Sequence, residues 1–210
     1  MALYVPRAFR VDEPASVDAL IDEHPFATLI TLASPEPFVS HVPMIRDRGD
    51  AGLTLLGHFA RANPHWENAA GAASIAIFHG PHAYISPTWY QDPANAVPTW
   101  NFAAIHVHGR LEMLPSAQDA ERVLRALVER FEGVDESAWR FSMQGRPREA
   151  MVSNIVAFRI VAEQISSKFK LSQNRTPADR RRVVDALGAS DHAESRATAD
   201  WMRRFTSSDD

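Results

Sequence analysis

Hydrophobic and polar residues recur along this chain with two different periods. Behind Asp12 and Glu13, Pro14 takes a first-turn position, and Val17, Leu20 and Ile21 repeat at helical spacing up to His24-Pro25, which predicts a short amphipathic helix. From Phe26 the texture becomes FATLITLA, FVSHVPMIR, LTLLGHFA and ASIAIFH. Such short runs, rich in β-branched and aromatic residues and broken by Pro, Gly, Asp and Ser, predict strands with tight connections. The next stretch, WNFAAIHVHGRLEML, puts Ala103, Ile105, Val107, Gly109, Leu111 and Met113 on one face. His106, His108, Arg110 and Glu112 fall on the other, so this is a long strand with Gly109 as a bulge or bend.

Helical periods return at Ser116, an N-cap with Asp119 in the reciprocal position, followed by a stripe of Leu124, Leu127, Val128 and Phe131 that Gly133 stops. Residues 134–153 keep no sustained period and read as short helix and loop, with Trp139, Phe141 and Met143 available to cover a pocket. IVAFRIVAEQI has strand texture again and leads through KFKLSQNR to Thr176-Pro177, an N-cap and first-turn proline that open a helix ending at Gly188. A last helix is expected from Ser190 with Ala197, Trp201 and Phe205 on one face, and the SSDD end reads as a frayed tail. Runs of strands followed by helices, without alternating βαβ units, predict a mainly β (α+β) fold: a small closed or split barrel with peripheral helices.

Composition narrows the class without changing that outline. The 210 residues are 45% hydrophobic and 23% charged with no Cys, which excludes a disordered chain, a collagen-like repeat, a disulfide scaffold, thiol catalysis and thiolate zinc. The opening MALYVPRAFRVDEP lacks the apolar core of a signal peptide and no long apolar run occurs, so a cytoplasmic protein without a membrane span is expected. A formal charge of -4, from 22 basic and 26 acidic residues, is not the footprint of a nucleic-acid binder, and DNA contact would need a local patch.

Several groupings carry chemistry. Gly57-His58-Phe59-Ala60-Arg61-Ala62-Asn63-Pro64-His65-Trp66 passes from a strand into a short helix, with Asn63 as N-cap and Pro64 at the first helical position. Backbone N–H groups, the helix dipole and Arg61 there suit a phosphate monoester. The same segment also reads as a capped helix whose arginine faces water. The aromatic runs from His82 to Tyr90 and from Val97 to Asn101 suit a flat heteroaromatic ligand, or simply core packing. His106-Val107-His108 offers two metal-type ligands without a third at a recognisable spacing, and no GxSxG, P-loop or GxGxxG motif occurs. Lys168 and Lys170 share one side of an extended segment and can neutralise a phosphate or a reduced flavin edge, while Arg180, Arg181 and Arg182 make a DNA-contacting arm conceivable. No Asp, Glu or Tyr stands out as a catalytic acid or base.

Taken together, GHFARANPHW, FHGPHAYISPTWY, VPTWNFAAIHVHG and KFKLSQNR, with the opening YVPRAF, resemble the PaiB family of FMN-binding negative transcriptional regulators over nearly the whole chain. The resemblance implies an antiparallel, Greek-key-like split β-barrel similar to that of pyridoxamine 5'-phosphate oxidase, spanning residues 1–175, with a helical appendage over 176–210 packed on it. It also implies a homodimer with FMN where two subunits meet. On this likeness His58, Arg61 and Asn63 hold the FMN phosphate with the Ala62 N–H, while Thr99, Trp100 and Asn101 approach the isoalloxazine ring and His41, Val42 and Pro43 line its other edge. Oxidases of this fold place Ser-Arg-Lys where this chain has Arg61-Ala62-Asn63, so the phosphate is held more weakly or Lys168 or Lys170 compensates. Three functions stay open at this point: a flavin-dependent sensor that affects transcription indirectly or through a protein partner, an FMN-dependent oxidoreductase or flavin reductase, and a direct DNA-binding repressor. The barrel type also hosts haem and deazaflavin.

Overall fold

A computed structural model describes residues 3–33, 35–49, 52–133 and 135–206 of the protein, so the expected frayed tail from Ser207 to Asp210 lies outside the described residues. The amphipathic segment behind Glu13 forms α1 (Pro14–Glu23), with Val17, Leu20 and Ile21 all buried. Four strands follow as β1 (Phe26–Thr31), β2 (Phe38–Pro43), β3 (Ile45–Gly49) and β4 (Gly52–Ala60), then one helical turn, α2 (His65–Asn68). The long strands β5 (Ala73–Ile85), β6 (Thr99–Leu114) and β7 (Ile155–Lys170) are interleaved with α3 (Ala117–Glu132) and α4 (Gly145–Ser153), and α5 (Pro177–Gly188) and α6 (Ala193–Thr206) close the chain. No helix among the described residues is long and apolar enough to cross a membrane.

The strands form one sheet in the order β2-β1-β5-β6-β7-β4-β3. Antiparallel registers run from Phe26↔Pro43 to Thr31↔Phe38, from Thr28↔Ile77 to Thr31↔Ser74, from Ile45↔Leu56 to Gly49↔Gly52, and from Thr54↔Val161 to Ala60↔Ile155. Strands β2 and β3 stand at opposite ends of that order, yet Met44 alone separates them in sequence. The sheet therefore curls round to bring its end strands together at Met44, which is fully buried and donates its N–H to the Pro25 carbonyl at 2.9 Å. This is the mainly β split barrel with peripheral helices that the sequence pattern predicts.

Two compact units divide the chain: Met1–Leu20, His79–Ile105 and Ser166–Asp210 make the first, and Ile21–Phe78 and His106–Ile165 the second. In the second unit the inward residues of β1 and β4, Ala27, Leu29, Leu53, Leu55 and Phe59, are buried in strict alternation. A satellite cluster gathers Ala120, Val123, Leu127, Phe141, Val152 and Ala157, each full burial of a Val or Leu being worth roughly 1.5–3 kcal/mol. In the first unit Phe169 packs its ring against Trp201 of α6 at 5.4 Å, and Val183 and Leu187 of α5 are buried.

Caps behave as the sequence predicts. The Ser116 hydroxyl accepts the Asp119 N–H at 3.0 Å and donates to the Asp119 carboxylate at 2.6 Å, while Gly133, at φ +84°, ends α3. Thr176 caps α5 by accepting from the Asp179 N–H at 3.1 Å.

Some expectations need correction. The buried stripe of α3 is Ala120, Val123 and Leu127, and Phe131 is 50% exposed because the last turn carries it past the packed face to lie beside the Arg130 guanidinium. Of the trio expected to cover a pocket, Phe141 and Met143 do line a cavity of about 360 Å³, whereas Trp139 is 48% exposed and stands outside its lining. Helix α6 starts at Ala193, after a turn in which the Ser190 hydroxyl accepts the His192 N–H. Strand β5 runs on past ASIAIFH through Gly80-Pro81 to Ile85, and a bare Gly80 lets Leu20 and Ala103 come within 3.1 and 3.2 Å of where its Cβ would stand. Strand β6 continues through Gly109, and a Cβ there would lie 2.3 Å from the Val161 carbonyl oxygen, so glycine is required by the close approach of β7.

Candidate functional site

The turn after β4 is built by alternation and by two polar side chains. Phe59, pointing inward, packs its ring 4.6 Å from Phe158 and 4.8 Å from His65. The chain then reverses, with the Asn63 N–H donating to the Ala60 carbonyl at 2.9 Å and the Asn63 side-chain oxygen accepting the His65 N–H at 3.0 Å. The expected positions shift by one: Pro64 flanks α2, which starts at His65, and Asn63 holds the turn before it through the His65 N–H; α2 is only four residues long, so it brings little dipole to this corner. Anion affinity here falls to the Arg61 guanidinium and the Ala62 N–H, because the N–H groups of Arg61, Asn63 and His65 are engaged within the turn and its neighbours. The backbone N–H of Arg61 donates to the Asn154 carbonyl at 2.8 Å, its Nε to the Ser153 carbonyl and its Nη2 to the Ile155 carbonyl at 2.9 Å. All of these acceptors are neutral, and among the described residues no carboxylate pairs with this guanidinium. His58 stands on the half-buried side of β4, and burial lowers its pKa. Its Nδ1 is buried without a hydrogen-bond partner among the described residues.

Beneath the turn lies a polar circuit that the sequence reading did not single out. Thr31, Ser40 and Ser74 occupy inward positions on β1, β2 and β5, and with His65, which is 1% exposed, they are buried. The Ser74 hydroxyl donates to the Ala72 carbonyl at 3.2 Å and contacts the Thr31 hydroxyl at 2.8 Å. Thr31 contacts His65 Nε2 at 2.8 Å, His65 Nδ1 contacts the Ser40 hydroxyl at 2.8 Å, and Asn63 Nδ2 donates to that hydroxyl at 3.1 Å. Each hydroxyl has one proton to give, so the donors fall into one order. Thr31 donates to Ser74, Nε2–H of a neutral His65 to Thr31, and Ser40 to Nδ1. The circuit ties the phosphate-type turn to three strands. A period-two reading of FATLIT, FVSHVP and ASIAIF would have found it, since each puts a hydroxyl where an apolar side chain belongs.

Burial pushes the His65 pKa down from 6.5 to about 4. A folded value below the unfolded one means that the stability tied to neutral His65 is complete above about pH 6.5 and is lost as pH falls toward 4. Over that window the protein should lose about 3 kcal/mol, read as a falling urea midpoint. A flat midpoint would show that the ring protonates without cost.

The remaining expected residues are placed as follows. His41 on β2 is exposed, hydrogen-bonds through Nδ1 to the Thr28 hydroxyl at 3.1 Å and lies along Phe26, whereas the Val42 side chain is buried and Pro43 ends the strand. These belong to the second unit with His58, Arg61, Ala62 and Asn63. In the first unit the Lys170 ammonium donates to the Thr99 hydroxyl and the Trp100 carbonyl, both at 2.6 Å. Its pKa is lowered, by burial first and then by the Lys168 and Arg175 cations. The Lys168 ammonium sits 5.3 Å from the ring centres of both Tyr4 and Phe102. Trp100 is 53% exposed, with the His82 and Tyr84 rings each 6.1 Å away. Asn101 is fully buried and donates to the Ser172 hydroxyl at 2.9 Å, fixing a residue that holds φ +67° without being glycine. Ser172 was not foreseen, because only the folded β6 and β7 bring it to Asn101. The His106 and His108 rings are 6.4 Å apart, and no group of three His, Cys, Asp or Glu side chains converges among the described residues.

Comparison with known proteins gives three findings. Residues 3–164 match the model of a family described as "Putative FMN-binding domain". The chain is similar to the Bacillus subtilis (strain 168) protein "Protease synthase and sporulation protein PAI 2", at 31% identity over 202 residues covering 95% of this chain and 96% of that one. In three dimensions it resembles the FAD and heme binding protein from Mycobacterium smegmatis, with TM-score 0.60 and 17% identity over 77% of this chain and 73% of that one. It resembles equally the flavocytochrome Anf3 from Azotobacter vinelandii, with TM-score 0.61 and 17% identity over 79% and 72%. At such identities the two structures speak to the fold alone.

Proposed function

This chain belongs to the FMN-binding domain family, of PaiB type, and from that premise we propose that it works as a flavin-dependent sensor acting in negative control of transcription. The observation that carries the cofactor reading is the turn after β4. Arg61 keeps a charge that no carboxylate neutralises among the described residues, and the buried Nδ1 of His58 lacks a partner there. These fit a phosphate, with Asn63 holding the turn in shape through His65 and Ser40. Taken by itself, the first unit offers an aromatic and cationic strip, Tyr84, Trp100 and Lys168, with chemistry suited to a flavin ring. When bound, FMN supplies reversible electron transfer; the chain's residues bind and orient it.

Among the groups whose pKa is displaced, Glu121 and Asp135 are lowered, by Arg125 and by Ser137 first, and Lys170 is committed to Thr99 and Trp100. Direct DNA contact loses support because Arg180 is 8% exposed and Arg182 donates to the Trp89 carbonyl at 2.9 Å. A homodimer is supported by the outward face of β1 and β2, where Phe26 and Val39 are 67% and 54% exposed.

The deciding experiment is to add FMN to the purified protein, remove unbound flavin by gel filtration and record spectrum and elution volume. Yellow protein at dimer size is expected, and a colourless eluate sinks the cofactor reading. Trp100→Phe should then relieve part of the flavin fluorescence quenching, by about twofold for a ring in contact; unchanged quenching takes Trp100 away from the ring.

A further inference from the structure

The turn after β4 presents one backbone donor that the chain does not use. The Arg61 N–H goes to the Asn154 carbonyl, the Asn63 N–H to the Ala60 carbonyl and the His65 N–H to the Asn63 side chain. Ala62 lies between them, exposed, and its N–H has no partner among the described residues. Beside it stands the Arg61 guanidinium, without a carboxylate partner among those residues. An N–H next to a cation serves a phosphate oxygen only if it points at that oxygen, because a hydrogen bond weakens steeply as its angle closes. The direction of the Ala62 N–H therefore has to be held by something else in the turn.

Trp66 supplies that hold. It is half-buried at the second position of α2, and its indole Nε1–H donates to the Arg61 carbonyl at 2.8 Å. The Arg61 carbonyl and the Ala62 N–H belong to one peptide unit, planar and trans, so the two bonds point in opposite directions. Fixing the carbonyl on the indole fixes where the N–H points on the other side. The neighbouring units are tied as well, Arg61 by its N–H to Asn154 and Asn63 by its Nδ2 to the Ser40 hydroxyl, so the Arg61–Ala62 peptide is the one whose rotation Trp66 controls. The centre of the same ring lies 5.7 Å from the Arg61 guanidinium carbon, but that group is already fixed by the Ser153 and Ile155 carbonyls. The indole N–H is thus the part of Trp66 with a task nothing else performs.

We propose that Trp66 is a positioning residue that sets the preference for a phosphorylated flavin over an unphosphorylated one, by aiming the Ala62 N–H at the phosphate. The proposal rests on the flavin reading above. Trp66→Phe tests it, since it removes the indole donor and keeps an aromatic ring beside Arg61. FMN and riboflavin are each titrated into wild type and variant, with flavin fluorescence as the signal. FMN affinity should fall about tenfold, the order of one charge-assisted hydrogen bond, while riboflavin affinity moves less than about twofold. In protein carrying isotope-labelled alanine, the Ala62 amide proton should shift downfield in the NMR spectrum when FMN is added to wild type, and much less in the variant. A Trp66 that only braces the turn would weaken both flavins alike, and that result overturns the proposal. So does an unchanged FMN affinity in the variant, or an Ala62 amide in wild type that stays put while FMN binds. Wild type that binds neither flavin is a different outcome, which sinks the flavin reading and this proposal with it.

Discussion

Replacing Arg61 with alanine should weaken FMN binding by 10- to 100-fold, the loss expected when one or two charge-assisted hydrogen bonds to a phosphate disappear. The expectation follows from the turn itself, where two of the guanidinium's donors hold neutral carbonyls and its charge has no carboxylate partner among the described residues. Its bonds to the Ser153 and Ile155 carbonyls also make Arg61 a strap for the end of α4, so the variant should lose about 1–2 kcal/mol of stability as well. The two effects separate experimentally. FMN affinity comes from titration followed by absorbance, stability from urea unfolding of the flavin-free protein. Lower stability with unchanged affinity would reduce Arg61 to the strap alone. Arg61→Lys keeps the charge but not the planar fork, and should fall between the two.

Gly109→Ala should be the most damaging small substitution in the sheet, at about 3 kcal/mol or more. The added Cβ would stand 2.3 Å from the Val161 carbonyl oxygen and 2.7 Å from Ile160 Cγ2. A backbone oxygen cannot turn aside, so β6 and β7 would have to part. Gly57 gives the contrast: its Cβ would meet the Phe158 ring at 2.6 Å, a side chain that can shift, and Gly57→Ala should cost less. Urea midpoints of the two variants test the ranking; equal midpoints would show that β7 yields as easily as a ring.

What could be read before folding follows from the range of each interaction. The period-two runs located β1 to β4 and the buried face of β6, because a half-buried strand writes its alternation directly into the chain. Caps at Ser116 and Thr176 were equally legible, being contacts within three residues. The full length of β5 was not legible: the run ASIAIFH marks its first half, and the close approach of Leu20 and Ala103 to Gly80 comes from residues distant in sequence. The residues of the β4 turn were visible in GHFARANPHW, but their division of labour was not. Whether Arg61 faces water or grips β7 depends on carbonyls more than ninety positions away. A further cavity, among α3, α4 and the ends of β6 and β7, left no trace in the sequence, since 134–153 has no period and its walls come from four elements.

Met44 joins the two ends of the sheet by a single residue, and that gives the chain one place where it is least tolerant of being opened. A new terminus cut there would release β2 and β3 from each other and present two rows of unpaired backbone groups to other molecules. The exposed Val39 on β2 would add apolar surface to such an edge. Circular permutation at this corner should therefore yield a protein that self-associates through its strands, while the buried core on either side stays unchanged.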